Sequence, residues 1–385
     1  MKKKFQVFRP SINKIEINSL IKVMKSGWLT SGNVTLKFEN EVRKTLKVKN
    51  AIAVNSCTNG IFAALHALGL KKNDEVITTP LTFVSTIHNL FNFGLKIKLV
   101  DINLDDFSLS AKILEKNISS KTKCVLITHY GGIPANIKEI IKICKRKNIK
   151  VIEDAATAFG AKLNNKNIGS FNNSIAVFSF YANKIITTGE GGVITLNNNR
   201  IAKKIRNLIS CGIDKDPWQR SLAKKSWFYK VPIYGFKYNF TDLQASIGLE
   251  QIKKLKKIQH YRRQLRKLYD KELKPLYDNQ ILIKNYKNKK SVYSEYIYTL
   301  LINENYTNLK RDNLIMFLKK KNINCTVHYI PANKHLFYKY KFNNFKLTNS
   351  DYVFNNILSI PFHNNISMKD AVYIAREIKK FFKIN

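Results

Sequence analysis

The chain has 385 residues, 44% of them hydrophobic, with 67 basic against 26 acidic side chains and a net charge of +41. That length allows one large domain and a smaller one, and no apolar run follows the basic start or reaches the roughly 18–20 residues of a membrane span, so neither an ordinary secretory signal nor a spanning helix is expected. The basic residues are spread through loops and helices without an aromatic-interleaved RNA-binding motif, so the charge reads as composition rather than as a nucleic-acid site, though such a field would attract an anionic substrate.

In chain order, the segment up to about residue 49 holds helical stretches expected to pack on the large domain or on a partner subunit. From about residue 50 to 200, apolar runs at 51–54, 75–79, 96–100, 124–128, 151–153, 175–180 and 192–196 alternate with amphipathic stretches that include 60–68, 82–93 and 137–147. This alternation predicts an α/β fold with a mostly parallel, seven-stranded sheet covered on both faces, its ligands beyond the C-terminal strand ends. Residues 241–266 read as one long helix started by Thr241 or Asp242. Strand and helix then alternate again at 296–302, 309–320 and 324–329. A last helix opens on a capping box from Ser367 to Asp370, with Val372, Ala375, Ile378 and Phe382 as its core positions. The expected division is a large domain over 1–250 and a smaller C-terminal α+β domain over 251–385. The Asn-Lys-rich piece 284–290 reads as a solvated loop. Cys57, Cys124, Cys144, Cys211 and Cys325 are scattered without a CxxC pair, and the histidines form no ligand pattern. No disulfide and no metal site is expected, and the cytoplasm is the expected compartment.

The chemistry lies around Lys184, between the apolar run 175–180 and the turn Thr187-Thr188-Gly189-Glu190-Gly191-Gly192. Partial desolvation there would lower the pKa of the amine and free it as a nucleophile of the Schiff-base kind. Asp154 ends another apolar run thirty residues upstream. A strand-end acid followed by such a lysine fits a pyridoxal phosphate site, the lysine on the aldehyde carbon and the acid on the pyridinium nitrogen. Alone, Asp154 would be a helix cap. Ser56-Cys57-Thr58-Asn59-Gly60 follows a strand and opens a helix. Its N–H groups and the Thr58 hydroxyl would hold a phosphate on the helix dipole, with simple capping by Ser56 or Thr58 as the alternative.

Arg9-Pro10-Ser11, the 26–32 segment, 74–77, Thr82–Thr86, His129-Tyr130-Gly131-Gly132, Glu153-Asp154-Ala155-Ala156, the Lys184 segment, Tyr238-Asn239-Phe240-Thr241-Asp242 and Val327-His328-Tyr329 occur in one order. In that series the chain resembles the DegT/DnrJ/EryC1/StrS sugar aminotransferases over nearly its whole length. The resemblance implies fold type I of the pyridoxal phosphate enzymes and a homodimer with shared active sites. It makes Lys184 the cofactor-bearing lysine and proton shuttle and Asp154 the partner of the ring nitrogen. A related subgroup of sugar dehydratases has histidine at the position of Lys184. The phosphate would be held by Cys57, Thr58, Asn59, Ser179 and, from the neighbouring subunit, Asn239, which spacing alone reads equally as a turn residue. Phe83 would stack on the ring. Thr157 stands where the family more often has histidine or glutamine, so its contact would be lost or water-mediated, and Cys57 replaces a usual glycine or alanine. Trp28, Thr30, His328 and Tyr329 are implied near the sugar. The implied reaction moves an amino group from glutamate, leaving 2-oxoglutarate, to a nucleotide-linked keto sugar for surface glycans. Segment 235–242 is most like that of enzymes aminating C4 of UDP-linked sugars, and sugar 3-aminotransferases share most of it. Rival readings are a dehydratase of the same fold, a cofactor-binding regulator without turnover, and a basic nucleic-acid-binding protein.

Overall fold

The computed structural model describes residues 3–215, 217–284, 291–342 and 345–384. Residues 285–290, most of the expected solvated loop, lie outside the described residues.

Seven strands form the main sheet: β1 (Asn50–Val54), β2 (Glu75–Thr78), β3 (Lys96–Leu99), β4 (Thr122–Thr128), β5 (Lys150–Asp154), β6 (Ile175–Ser179) and β7 (Gly192–Leu196). Their order is β1-β7-β6-β5-β4-β2-β3, and β7 alone runs antiparallel to its neighbours. The predicted strands match these to within a residue or two because the central ones are short apolar runs buried on both faces, while the edge strand β3 alternates Lys96, Ile97, Lys98 and Leu99 and is only partly buried. Ala51, Ala53, Val125, Ile127, Ala176 and Phe178 face one core, while Ile52, Val54, Leu126, Ile152 and Val177 face the other. Each buried Val, Leu, Ile or Phe among them contributes roughly 1.5–3 kcal/mol, so the sheet centre is the rigid base on which the site stands.

The helices beside it follow the same logic. In the helix Ile137–Arg146, Ile137, Ile140, Ile143 and Cys144 form one buried stripe. Helix α1 (Lys14–Ser26) and helix α2 (Asn33–Leu46) pack on a long helix, α3 (Asp242–Glu272). Thr241 caps α3 and Gln244 completes a capping box, so the predicted start holds and the helix runs six residues past its predicted end. Residue 250 falls within α3; its later part carries Leu265 and Tyr269 into a second core with Phe5 and Leu300.

That second core lies on an antiparallel sheet of β8 (Leu282–Ile283), β9 (Tyr298–Ile302) and β10 (Ile357–Ile360). The expected strand at 324–329 is not formed. Its backbone pairing is divided between Phe5 and Ser359, a single bridge at Thr326, and the chain then turns away with His328 and Tyr329. The last helix, Met368–Phe381, has the predicted capping box, but Val372 is exposed. The buried stripe is Ala371, Ile374, Ala375 and Ile378, one residue out of register with the expectation at its start. Among the described residues no helix is long and apolar enough to cross a membrane.

Candidate active site

Where β1, β4, β5 and β6 end, a cavity of about 400 Å³ opens between the main sheet and the segment that carries His328 and Tyr329. The volume suits a small ligand. Cys57, Thr58, Phe83, Asp154, Thr157, Ser179, Lys184, His328 and Tyr329 line it together.

Local structure explains how each arrives there. Ser56 Oγ accepts the Asn59 N–H at 3.1 Å and caps the helix Cys57–Ala67. The expected capping role is therefore real for Ser56, while the Thr58 side chain stays available to the cavity. Gly60 lets that helix sit close on the sheet, since a Cβ there would come within 2.6 Å of Val177. Gly192 does the same from the other side: its Cβ would lie 2.7 Å from the Cys57 nitrogen.

The chain from Phe180 to Gly191 forms a tight return, closed by the Phe180 N–H to Gly191 carbonyl bond at 2.9 Å. Thr187 and Thr188 are buried in it, and Thr187 Oγ1 donates to the Phe180 carbonyl at 3.0 Å. Lys184 projects from this return, half-buried, with Nζ 4.9 Å from the centre of the Tyr296 ring. Among the described residues the amine has no hydrogen bond and no ion pair.

Asp154 is 4% exposed. Its Oδ1 accepts the Ala156 N–H at 3.1 Å, and its Oδ2 accepts the Thr86 hydroxyl at 2.6 Å. Thr157 Oγ1 donates to the His129 carbonyl at 2.8 Å, so its proton is committed to the main chain. Behind the cavity, the Ala135 N–H donates to His129 Nδ1 at 3.0 Å, which leaves Nε2 to donate to Glu153 at 3.0 Å.

Burial holds Cys57, His328 and Tyr329 in their neutral forms. Burial, with Asp154 adding to it, pushes the Cys57 thiol well up, against the pull of Lys184. Burial, then the charge of Lys184, lowers His328 to about 3, while Nδ1 pairs with Ser359 Oγ at 2.8 Å. Burial beside Tyr296 and Tyr130 raises Tyr329 well above a phenol's usual range.

Trp28, Thr30, Asn59 and Asn239 do not line this cavity. Trp28 Nε1 donates to the Ser31 carbonyl at 3.2 Å, and its ring stands edge-on to Trp218. Thr30 is exposed. Asn59 turns back to Asn55, 2.9 Å away. Asn239 lines a separate cavity of about 230 Å³, with Oδ1 buried and without a partner. Sequence reasoning missed Thr82, Thr86, Asn183 and Tyr296 as cavity residues. The hydroxyls four apart at 82 and 86, flanking Phe83, were the available signal.

These residues suit pyridoxal phosphate. They offer an unpaired amine, a buried carboxylate, the open N–H groups of a helix start, and a buried Asn183 Oδ1 that lacks a partner on the same wall.

Comparison with known proteins agrees with that chemistry. A family of aminotransferases, DegT/DnrJ/EryC1/StrS, matches residues 10–379. The protein MJ1066 of Methanocaldococcus jannaschii is 39% identical over 98% of this chain and 97% of its own length. The spore coat polysaccharide biosynthesis protein SpsC of Bacillus subtilis is 33% identical over 96% of each. Among solved structures, Helicobacter pylori PseC, an aminotransferase involved in the biosynthesis of pseudoaminic acid, superposes with a TM-score of 0.90 at 27% identity, covering 99% of this chain and 100% of its own.

Proposed function

Because the chain belongs to the DegT/DnrJ/EryC1/StrS aminotransferase family and is thus a sugar aminotransferase, we propose that it moves an amino group from glutamate to a UDP-linked 4-keto sugar. Aminotransferases of this family depend on pyridoxal phosphate. The observation that carries the reading is the unpaired Lys184 amine and the buried Asp154 carboxylate on one cavity wall.

Lys184 would hold the aldehyde carbon, Asp154 the ring nitrogen, and Phe83 one face of the ring. The first N–H groups of the helix Cys57–Ala67, with Thr58 and Ser179, would hold the phosphate. Bound there, the cofactor supplies an aldehyde that takes up the donor's amine and a protonated ring that withdraws electrons from the reacting carbon. Once the donor's amine has taken its place on the aldehyde carbon, the freed Lys184 Nζ would take the proton from the donor's α-carbon and later return one to the sugar carbon. Asp154, shielded from water, stabilises the positive ring nitrogen. His328 and Tyr329, neutral at working pH, offer hydrogen bonds to a sugar without competing for protons.

A second copy of the chain would complete the site. Asn239, absent from the Lys184 cavity and with Oδ1 unpaired, would reach the partner's phosphate. Ile15, Ile17, Ile21 and Met24 on α1, and Trp227 and Phe228 beyond, are exposed apolar residues suited to that contact. Spore coat polysaccharide for SpsC and pseudoaminic acid for PseC support a product bound for surface glycans.

The test is the absorbance of the protein with pyridoxal phosphate, before and after glutamate, alongside Lys184→Ala. A lysine-dependent visible band that glutamate bleaches supports the reading; its absence in the wild type overturns it. Turnover of UDP-linked over dTDP-linked and of 4-keto over 3-keto sugars then tests the substrate.

A further inference from the structure

We infer that Thr86 is a positioning residue that keeps Asp154 the anionic partner of the cofactor's ring nitrogen, with Thr82 and Thr128 as outer members of the same hydroxyl chain. The inference rests on the cofactor reading above.

The three hydroxyls converge on one carboxylate. Thr128 Oγ1 donates to Thr82 Oγ1 at 3.1 Å. Thr82 Oγ1 lies 3.4 Å from both Thr86 Oγ1 and Asp154 Oδ2, and Thr86 Oγ1 donates to Oδ2 at 2.6 Å. Every proton in the chain points towards Asp154. Thr82 and Thr86 are each 1% exposed, so water does not compete for these bonds. The donors come from the end of β4 (Thr128), from the turn before the helix Val84–Asn92 (Thr82), which also carries Phe83 into the cavity, and from the first turn of that helix (Thr86).

A carboxylate that accepts such bonds has a lowered proton affinity. The proton shared with the ring nitrogen then stays on the ring, which keeps the ring electron-withdrawing. Without Thr86 Oγ1 the carboxylate is the stronger base, the proton shifts towards it, and the ring withdraws less. An amine or imine nitrogen conjugated to the ring then becomes more basic. Around this pair, Cys57, His328 and Tyr329 do not titrate between pH 6 and about 9, since burial displaces each out of that window. Tyr181 and Glu190 stand exposed at the rim, and Tyr296 lies under Lys184. The pH response of the bound chromophore therefore reports the balance between Lys184, the ring and Asp154.

The experiment is a pH titration of the visible band of the protein loaded with pyridoxal phosphate, for wild type, Thr86→Val, Thr86→Ser and Thr128→Val. Valine keeps the shape and removes the hydroxyl. One charge-assisted bond corresponds to a rise of roughly one pH unit in the midpoint for Thr86→Val. Thr86→Ser should return it to the wild-type value, and Thr128→Val, which leaves the direct bond, should move it less in the same direction. A residue that merely anchors its helix would lower the melting temperature without moving the midpoint. A folded, loaded Thr86→Val protein with the wild-type midpoint overturns the inference, as does a Thr86→Ser protein that behaves like valine. If Thr86→Val does not fold, an unmoved midpoint in Thr128→Val overturns it. A wild type without any lysine-dependent band is a different failure and removes the cofactor reading itself.

Discussion

Asp242 is a test of how the fold around Asn239 is held. Helix α2 starts at Asn33 after Gly32, which has no side chain with which to cap it. Asp242, 2% exposed, supplies the cap from more than 200 residues away. Its Oδ1 accepts the Gly32 N–H at 2.9 Å, the Thr35 N–H at 2.8 Å and the Thr35 hydroxyl at 2.7 Å. Its Oδ2 accepts the Val34 N–H at 3.1 Å. Asp242→Ala removes all of these and strands donors in a buried place, each costing about 1–3 kcal/mol in isolation. Partial relaxation and shared geometry make the sum smaller, so the expected loss is about 3–5 kcal/mol. Asp242→Asn is milder. Its carbonyl can keep the bonds at Oδ1, and only the Val34 N–H then faces a donor, for a loss of about 1–2 kcal/mol. Urea unfolding followed by far-UV circular dichroism reads both, scored where the slope against denaturant is unchanged. Equal losses for the two variants, or an alanine loss below about 1 kcal/mol, would refute the claim that this carboxylate caps α2.

Gly192→Ala should push the Ser56–Cys57 turn off the sheet, since its Cβ would meet the Cys57 nitrogen at 2.7 Å and the Phe178 carbonyl at 2.8 Å. Pyridoxal phosphate binding, measured by absorbance titration, should weaken about ten-fold or more; unchanged binding would show that the turn does not hold the phosphate. Native protein treated with iodoacetamide near pH 7.5 should carry one adduct, on the exposed Cys211, because Cys57, Cys124 and Cys144 are buried and burial pushes Cys325 up to about 12. Peptide mass spectrometry reads this, and early labelling of Cys57 would contradict it. Burial holds His328 near a pKa of about 3 and His363 near about 4, both below the usual 6.5. The unfolded chain therefore gains protons below about pH 6.5 that the folded chain does not take up. The stability these groups contribute is present above that pH and is lost as pH falls towards 4. His363→Asn should flatten this loss in urea midpoints measured from pH 7 to pH 4.5; an identical slope would assign the loss elsewhere.

The main sheet and much of the site were legible because both are written locally. The central strands are continuous apolar runs, a pattern that only a sheet covered on both faces rewards, and the run that ends in Asp154 needs no distant partner to be recognised. Lys184 was legible for a related reason: the glycines at 189, 191 and 192 after it serve close approaches that a Cβ would prevent or a positive φ at Gly189 that few residues adopt. What escaped is long-range. The 324–329 segment has a strand's composition, yet its pairing is divided between Phe5 and Ser359, and no local pattern encodes that division. Val372 fits a helical stripe as well as Ala371 does, and only packing against the second core chooses between them. The hydroxyls of Thr82, Thr86 and Thr128 look like ordinary β-branched fillers until three segments bring them to one carboxylate. A residue suited to chemistry can be picked out from its own neighbourhood in the chain, whereas the groups that hydrogen-bond to it are chosen by tertiary structure, and for Asp154 that choice falls on Thr82 and Thr86.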